Sequence, residues 1–241
     1  MASLSFNAND VKPTASFDPI PAGKYLAAIV DSTTKPTKNG AGEYLEIVLE
    51  VLEGPYKGRR LWERLTLKHP NDVVVRSDSA IYFTDTYGAF RLRDKDPRRE
   101  IFTNSVFMWK NGKLTQVVSD MPSTNGLAFS PDERYLYVNG GRDNVINRYE
   151  VLPDGTMGNG KLFMDLRGKP EPGITDGLRV DTRGNLWETG PGGIWVITPE
   201  GKHIGTIRAP ETTVNLAFGD ADRKTLYITA RGSIFRIRLN V

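Results

Sequence analysis

Apolar residues in this chain fall in short runs at period two, each closed by a turn of Pro, Gly, Asp, Asn or Ser. The fullest example runs from Asn125 to Asn139. Leu127, Ala128 and Phe129 form a first strand, Ser130 to Arg134 a turn built on Pro131 and Asp132, and Tyr135 to Val138 a return strand in which Leu136 and Val138 alternate with Tyr135 and Tyr137. The same unit is written again at Asn71 to Asp85, at Asp176 to Thr189 and at Asn215 to Thr229. The openers are spaced 54 (71 to 125), 51 (125 to 176) and 39 (176 to 215) residues apart.

Between the copies lie further hairpins. Ser105 to Trp109 turns at Asn111-Gly112 into Leu114 to Val118, and Val145 to Val151 turns at Pro153 to Gly155 and leads to Lys161 to Leu166. Gly192 to Ile197 turns at Pro199 to Gly201 and returns through His203 to Ile207, and Ser233 to Leu239 ends the last copy. Each unit therefore holds about four short antiparallel strands, the signature of β-propeller blades. Ahead of them, Gly23 to Asp31, Glu43 to Glu53 and Arg59 to Leu67 read as three more strands, with Ser32 to Gly42 as a loop. The predicted fold is all-β: a propeller with about four recognisable blades over residues 68–241, preceded by a β-rich segment over residues 1–67.

Composition narrows the chemistry. In 241 residues there are no cysteines, which excludes disulfides, thiolate zinc sites and cysteine nucleophiles. The two histidines, His69 and His203, stand in turn-like surroundings without ligand or nucleophile partners and are expected to be ordinary hydrogen-bonding residues. The net charge of +3 comes from interleaved Lys, Arg, Asp and Glu, and residues 1–67 hold eight basic against eight acidic residues, which disfavours a nucleic-acid groove. No apolar run approaches a membrane span, and no basic and apolar leader pattern opens the chain, so a cytoplasmic protein is expected. Gly155 to Lys161 matches the first seven positions of a P-loop, but Leu162 replaces the hydroxyl residue and a turn precedes it, so a hairpin loop is expected there.

In a propeller the residue that opens each inner strand points to one end of a shared axis. The repeats thus gather Asn71, Asn125, Asp176 and Asn215, whose amide and carboxylate oxygens suit a hard cation such as calcium, magnesium or manganese. Taken singly, each of these residues is also an ordinary turn cap.

Two resemblances follow from these residues. Phe17 to Tyr25, Lys35 to Gly40 and Leu49 to Arg60 resemble the start of an uncharacterised phage domain, which implies an OB-type, single-strand DNA-binding barrel. The motifs Pro70-Asn-Asp-Val-Val-Val, Asn125-Gly-Leu-Ala-Phe-Ser-Pro-Asp, Asp176-Gly-Leu-Arg-Val-Asp, Gly184-Asn-Leu-Trp, Gly190-Pro-Gly-Gly and Asn215-Leu-Ala-Phe-Gly resemble the gluconolactonase and regucalcin family of six-bladed propellers. That second resemblance implies hydrolysis of a small-molecule lactone with one divalent cation, calcium first and zinc, manganese or magnesium as alternatives. It implies Asn125 and Asp176 as metal ligands, Asp176 also as catalytic base, and Asn71 as a substrate contact, while Asn215 is expected to line the channel.

Three departures stand out. The family's first-blade glutamate has no counterpart within a blade, Glu53 in its Glu-Gly-Pro context not being placed in the site. Ser79 stands where the turn has Gly, and Glu188 occupies a strand position otherwise apolar, where it is expected to be exposed or destabilising. Four blades leave open sheet edges, so packing by residues 1–67 and self-association into a homo-oligomer are expected. A non-catalytic chimera and a single-strand DNA-binding protein remain the alternatives to a metal-dependent lactonase.

Overall fold

A computed structural model describes residues 20, 21, 23, 25–36, 43–66, 70–86, 95 and 101–240. The chain divides into two compact units, Met1–Lys68 and His69–Val241. Strand is the dominant secondary structure in both.

The first unit holds one antiparallel sheet of β1 (Ala27–Pro36), β2 (Glu43–Val51) and β3 (Arg60–Thr66). β1 runs through residues read from sequence as loop, because its Thr-rich end continues to pair with β2 as far as Pro36 opposite Glu43. A bulge between Ile29 and Asp31 shifts the register. Val48 and Val51 are buried, whereas Leu26, Ile29, Val30 and Trp62 are exposed. Tyr25 meets Tyr56 edge-on at 5.9 Å.

The second unit is four antiparallel sheets in sequence order. The first is β4 (Pro70–Val75), β5 (Ile81–Asp85), β6 (Asn104–Lys110) and β7 (Lys113–Met121). The second is β8 (Leu127–Phe129), β9 (Tyr135–Gly140), β10 (Val145–Glu150) and β11 (Lys161–Asp165). The third is β12 (Leu178–Val180), β13 (Leu186–Gly190), β14 (Gly193–Ile197) and β15 (His203–Ile207). The fourth has three strands, β16 (Thr213–Gly219), β17 (Thr225–Ala230) and β18 (Ile234–Arg238), where the sequence pattern suggested about four per unit. The first strands of successive sheets neighbour one another, β4 by β8, β8 by β12 and β12 by β16. This is the inner-strand arrangement of propeller blades.

The hairpin turns follow their residues. Asn111 and Gly112 both take positive φ, 50° and 76°, as a tight two-residue hairpin requires. The P-loop-like segment is a hairpin loop closed by the bridge between Val151 and Met157. His203 bonds Thr206 Oγ1 at 2.9 Å and stacks on Trp195, an ordinary surface role, whereas His69 lies outside the described residues.

Apolar cores lie between the blades. Tyr82, Val106 and Met108 of the first blade pack with Leu127, Phe129 and Leu136 of the second. Ala128, Tyr137 and Ile146 of the second pack with Leu178, Leu186 and Ile197 of the third. Each fully buried Leu or Ile contributes about 1.5–3 kcal/mol. The opposite face of the first blade carries Val73, Val75, Ile81, Trp109 and Leu114, all exposed. Val75, Ile81, Trp109 and Leu114 are directly cross-strand partners, so they form one apolar row across the sheet.

Ser79, in the turn between β4 and β5, has φ 67°. A Cβ is strained in that region, which explains why the turn favours glycine. Ser79→Gly should raise stability by about 1 kcal/mol, read as a higher urea midpoint at unchanged slope. A lower midpoint would show that the Ser79 conformation is not a source of strain.

Candidate active site

Strand pairing fixes which residues are equivalent in the four repeats. Val73, Leu127, Leu178 and Leu216 pair with Phe83, Val138, Glu188 and Ile228. Counting back two residues gives Asn71, Asn125, Asp176 and Val214. Asn215 is therefore one position late, level with Asp72, Gly126 and Gly177. Its Oδ1 accepts the Leu216 N–H at 2.8 Å, as Asp72 Oδ1 accepts the Val73 N–H at 2.9 Å. Both are local caps of their strands. Asn215 is half-buried, and a Cβ on Gly177 would meet its side chain, so this glycine keeps the two inner strands in close approach.

Two of the other openers come together. Asn125 and Asp176 open the inner strands of the second and third blades, and the Asn125 side chain acts on the Asp176 carboxyl. Burial pushes the Asp176 carboxyl up to about 6, the Asn125 side chain opposes that shift, and the negative charge of Asp72 adds to it. Asn125 Oδ1 is buried and has no hydrogen-bond partner. Asn71 is exposed on β4, and no side-chain hydrogen bond joins it to this pair. Its neighbour Asp72 is tied in instead, its Oδ2 lying 3.3 Å from Arg179 of β12. That ion pair links the first blade to the third, and Arg179 also donates to the Leu178 carbonyl at 2.6 Å.

The pair rests on a polar frame that the sequence reading missed. One residue after Phe83, Val138, Glu188 and Ile228, the return strands carry Thr84, Asn139, Thr189 and Thr229. Thr84 accepts from the Asp72 N–H, Thr189 from the Asp176 N–H and Thr229 from the Asn215 N–H, at 2.9–3.1 Å. Asn139, fully buried, accepts from the Gly126 N–H at 2.9 Å, and its amide also donates to the Asp176 carbonyl at 2.7 Å. A Cβ on Gly126 would come 2.1 Å from that carbonyl. Thr124 and Thr175, each just ahead of an opener, donate to the Asp85 and Gly140 carbonyls of the preceding blade at 3.0 and 2.8 Å. The recurrence of Thr before the opener in Thr124, Thr175 and Thr213 was the available signal.

Glu188 corrects an expectation. It is neither exposed nor left without partners: it is 0% exposed, accepts from the Asn139 amide at 2.9 and 3.0 Å, and accepts from the Asp176 N–H at 3.2 Å. Burial holds its carboxyl well above the usual range.

Asn125 and Asp176 fit a divalent cation. An amide oxygen without a partner beside a carboxylate is a hard-oxygen donor pair with negative charge and no cationic neighbour bonded to it. Among the described residues no group of three or more His, Cys, Asp or Glu is arranged around a metal position. Two pockets of roughly 320 and 340 Å³ lie at the opposite, turn end of the strands, around Asp181 to Arg183, and include none of these residues.

The four consecutive antiparallel sheets, joined through their first strands, define a propeller-type protein. The chain belongs to the SMP-30/Gluconolactonase/LRE-like family, whose model matches residues 52–232. A second model, a protein of unknown function designated DUF669, matches residues 4–89. A gluconolactonase of Zymomonas mobilis is 29% identical over 95% of this chain and 68% of its own length. The crystal structure of a putative gluconolactonase superimposes with a TM-score of 0.66 at 30% identity, covering 86% of this chain and 73% of that one. A gluconolactonase of Xanthomonas campestris superimposes with a TM-score of 0.63 at 27% identity, covering 86% of this chain and 71% of that one.

The Asp176 carboxyl gives a pH test. A folded value raised to about 6 from 3.8 means that its contribution to stability is full below the unfolded value and lost as pH rises through the folded one. In chelator, the wild type should lose urea resistance relative to Asp176→Asn between about pH 4 and pH 7. Parallel curves for the two proteins across that range would contradict the raised value.

Proposed function

We propose that this protein hydrolyses sugar-type lactones at Asp176, with one divalent cation held by Asn125 and Asp176. The observation that carries the reading is the unpartnered, buried Asn125 Oδ1 beside a carboxylate raised by burial. Gluconolactonases among the relatives support lactones as the substrate class.

A divalent cation, when bound, polarises an ester carbonyl and lowers the pKa of a coordinated water. The chain's own residues supply proton transfer and orientation. Asp176 accepts a proton from water as the water oxygen bonds to the lactone carbonyl carbon. The ring C–O bond then breaks, and the ring oxygen takes the proton back from Asp176, leaving a hydroxy acid. Net, one water is consumed and Asp176 is regenerated. The Asn139 and Thr189 contacts fix the Asp176 backbone, and the Asn125 side chain acts on its carboxyl. Asn71, exposed at the same end of β4, is positioned to meet polar groups of the substrate. Asp72 and Arg179 form a charged wall beside it.

The test is hydrolysis of glucono-δ-lactone by wild type and Asp176→Ala, each with added calcium, manganese or zinc. The wild type should turn over with at least one cation, and Asp176→Ala should lose at least about 100-fold in kcat. Activity that survives in Asp176→Ala would overturn the assigned role, and a wild type without turnover on sugar lactones would overturn the substrate class.

A further inference from the structure

We propose that Glu188 is a positioning residue for the cation: with Asn139 it sets the spacing of Asn125 and Asp176 through the hydrogen bonds it accepts. The inference rests on the reading of Asn125 and Asp176 as cation ligands.

Glu188 is out of place by the chain's own repeat. Its equivalents by strand pairing are Phe83, Val138 and Ile228, all apolar. An apolar residue at that position buries against the preceding blade, as Val138 does in the core shared with the first blade. Glu188 is just as buried, yet it carries a carboxylate into the seam between the second and third blades. A second break in the repeat lies opposite it. Asn139 stands where the other three copies have threonine. A threonine hydroxyl there accepts one backbone N–H and donates to one backbone carbonyl, whereas the Asn139 amide serves three groups: the Gly126 N–H, the Asp176 carbonyl and the Glu188 carboxylate. The two exceptions bond to each other, and both bond to the backbone of residues at or beside the candidate ligands.

The consequence is geometric. Asn139 joins the residue after Asn125 to Asp176, and Glu188 holds the Asp176 N–H from the other side at 3.2 Å. The spacing of the two ligands therefore does not depend on the packing of the blades alone. The charged neighbours acting on Glu188 are Asp176 and Asp72, both acidic. Arg179, the nearby base, is bound to Asp72. A buried carboxylate set among carboxylates is costly without a counter-charge. Residues directly behind metal ligands commonly change affinity 10- to 100-fold.

The test is calorimetric titration of the chelator-stripped full-length protein with manganese chloride. It compares wild type with Asp176→Asn, Glu188→Gln, Glu188→Asp and Asn139→Thr. Glu188→Gln should weaken manganese binding about tenfold or more, while its thermal midpoint in chelator does not fall. Glu188→Asp, which keeps both acceptor oxygens, should bind more tightly than Glu188→Gln, which keeps one. Asn139→Thr restores the residue of the other repeats, so it keeps the fold testable should Glu188→Gln not fold, and it should weaken binding to a similar extent. If wild type binds manganese and Asp176→Asn does not, yet Glu188→Gln and Asn139→Thr match wild type, the role of Glu188 is refuted and the cation site stands. If wild type takes up no manganese, the cation site fails and this inference fails with it.

Discussion

The Asn139 side chain is the interaction on which the site depends. It has one acceptor and two donor hydrogens, and all are used between two blades. Its carbonyl takes the Gly126 N–H, and its amide reaches the Asp176 carbonyl and the Glu188 carboxylate. Left unmet in a seam closed to water, each of these groups would cost about 1–3 kcal/mol. Satisfied, they fix the second and third blades in the one offset that brings Asn125 beside Asp176. Gly126 is part of the same constraint, since any larger residue would displace the Asp176 carbonyl.

Around this bridge the repeats divide the labour. Position for position, they use threonine hydroxyls to anchor inner strands, as Thr84, Thr189 and Thr229 do, and to staple neighbouring blades, as Thr124 and Thr175 do. These are scaffold contacts, repeated because every blade needs them. Departures from the repeat concentrate where the second and third blades meet, at Asn139 and Glu188. Local rules are broken at functional sites because chemistry requires groups that packing alone would not select. Thr213 shows the reverse case. It keeps the staple residue of the fourth blade, but its hydroxyl is buried without a partner.

The strands and hairpins were legible because each is written locally. Period-two runs around Asn111-Gly112, Pro153 to Gly155 and Pro199 to Gly201 specify strand, turn and strand without reference to distant residues. The extension of β1 to Pro36 was hidden, since what makes Ser32 to Pro36 a strand is a partner, Glu43 to Ile47, and not its own alternation. The repeated motifs put Asn71, Asn125 and Asp176 at one level of the inner strands, as pairing does. They place Asn215 one residue off, because only pairing shows that Leu216 is equivalent to Leu127. Glu188 was visible as an anomaly, but its meaning was not. A glutamate in an apolar slot is a liability until Asn139, 49 positions away, is seen bonded to it.

The central claim is that Asn125 and Asp176 form one oxygen-donor site held open by the Asn139 bridge. Anomalous diffraction from crystals soaked in manganese tests it most directly. The account predicts a single strong peak within coordination distance, about 2.0–2.6 Å, of both Asn125 Oδ1 and the Asp176 carboxylate. A peak elsewhere, or an Asn125 amide turned away to another partner with no ion beside it, would contradict the account.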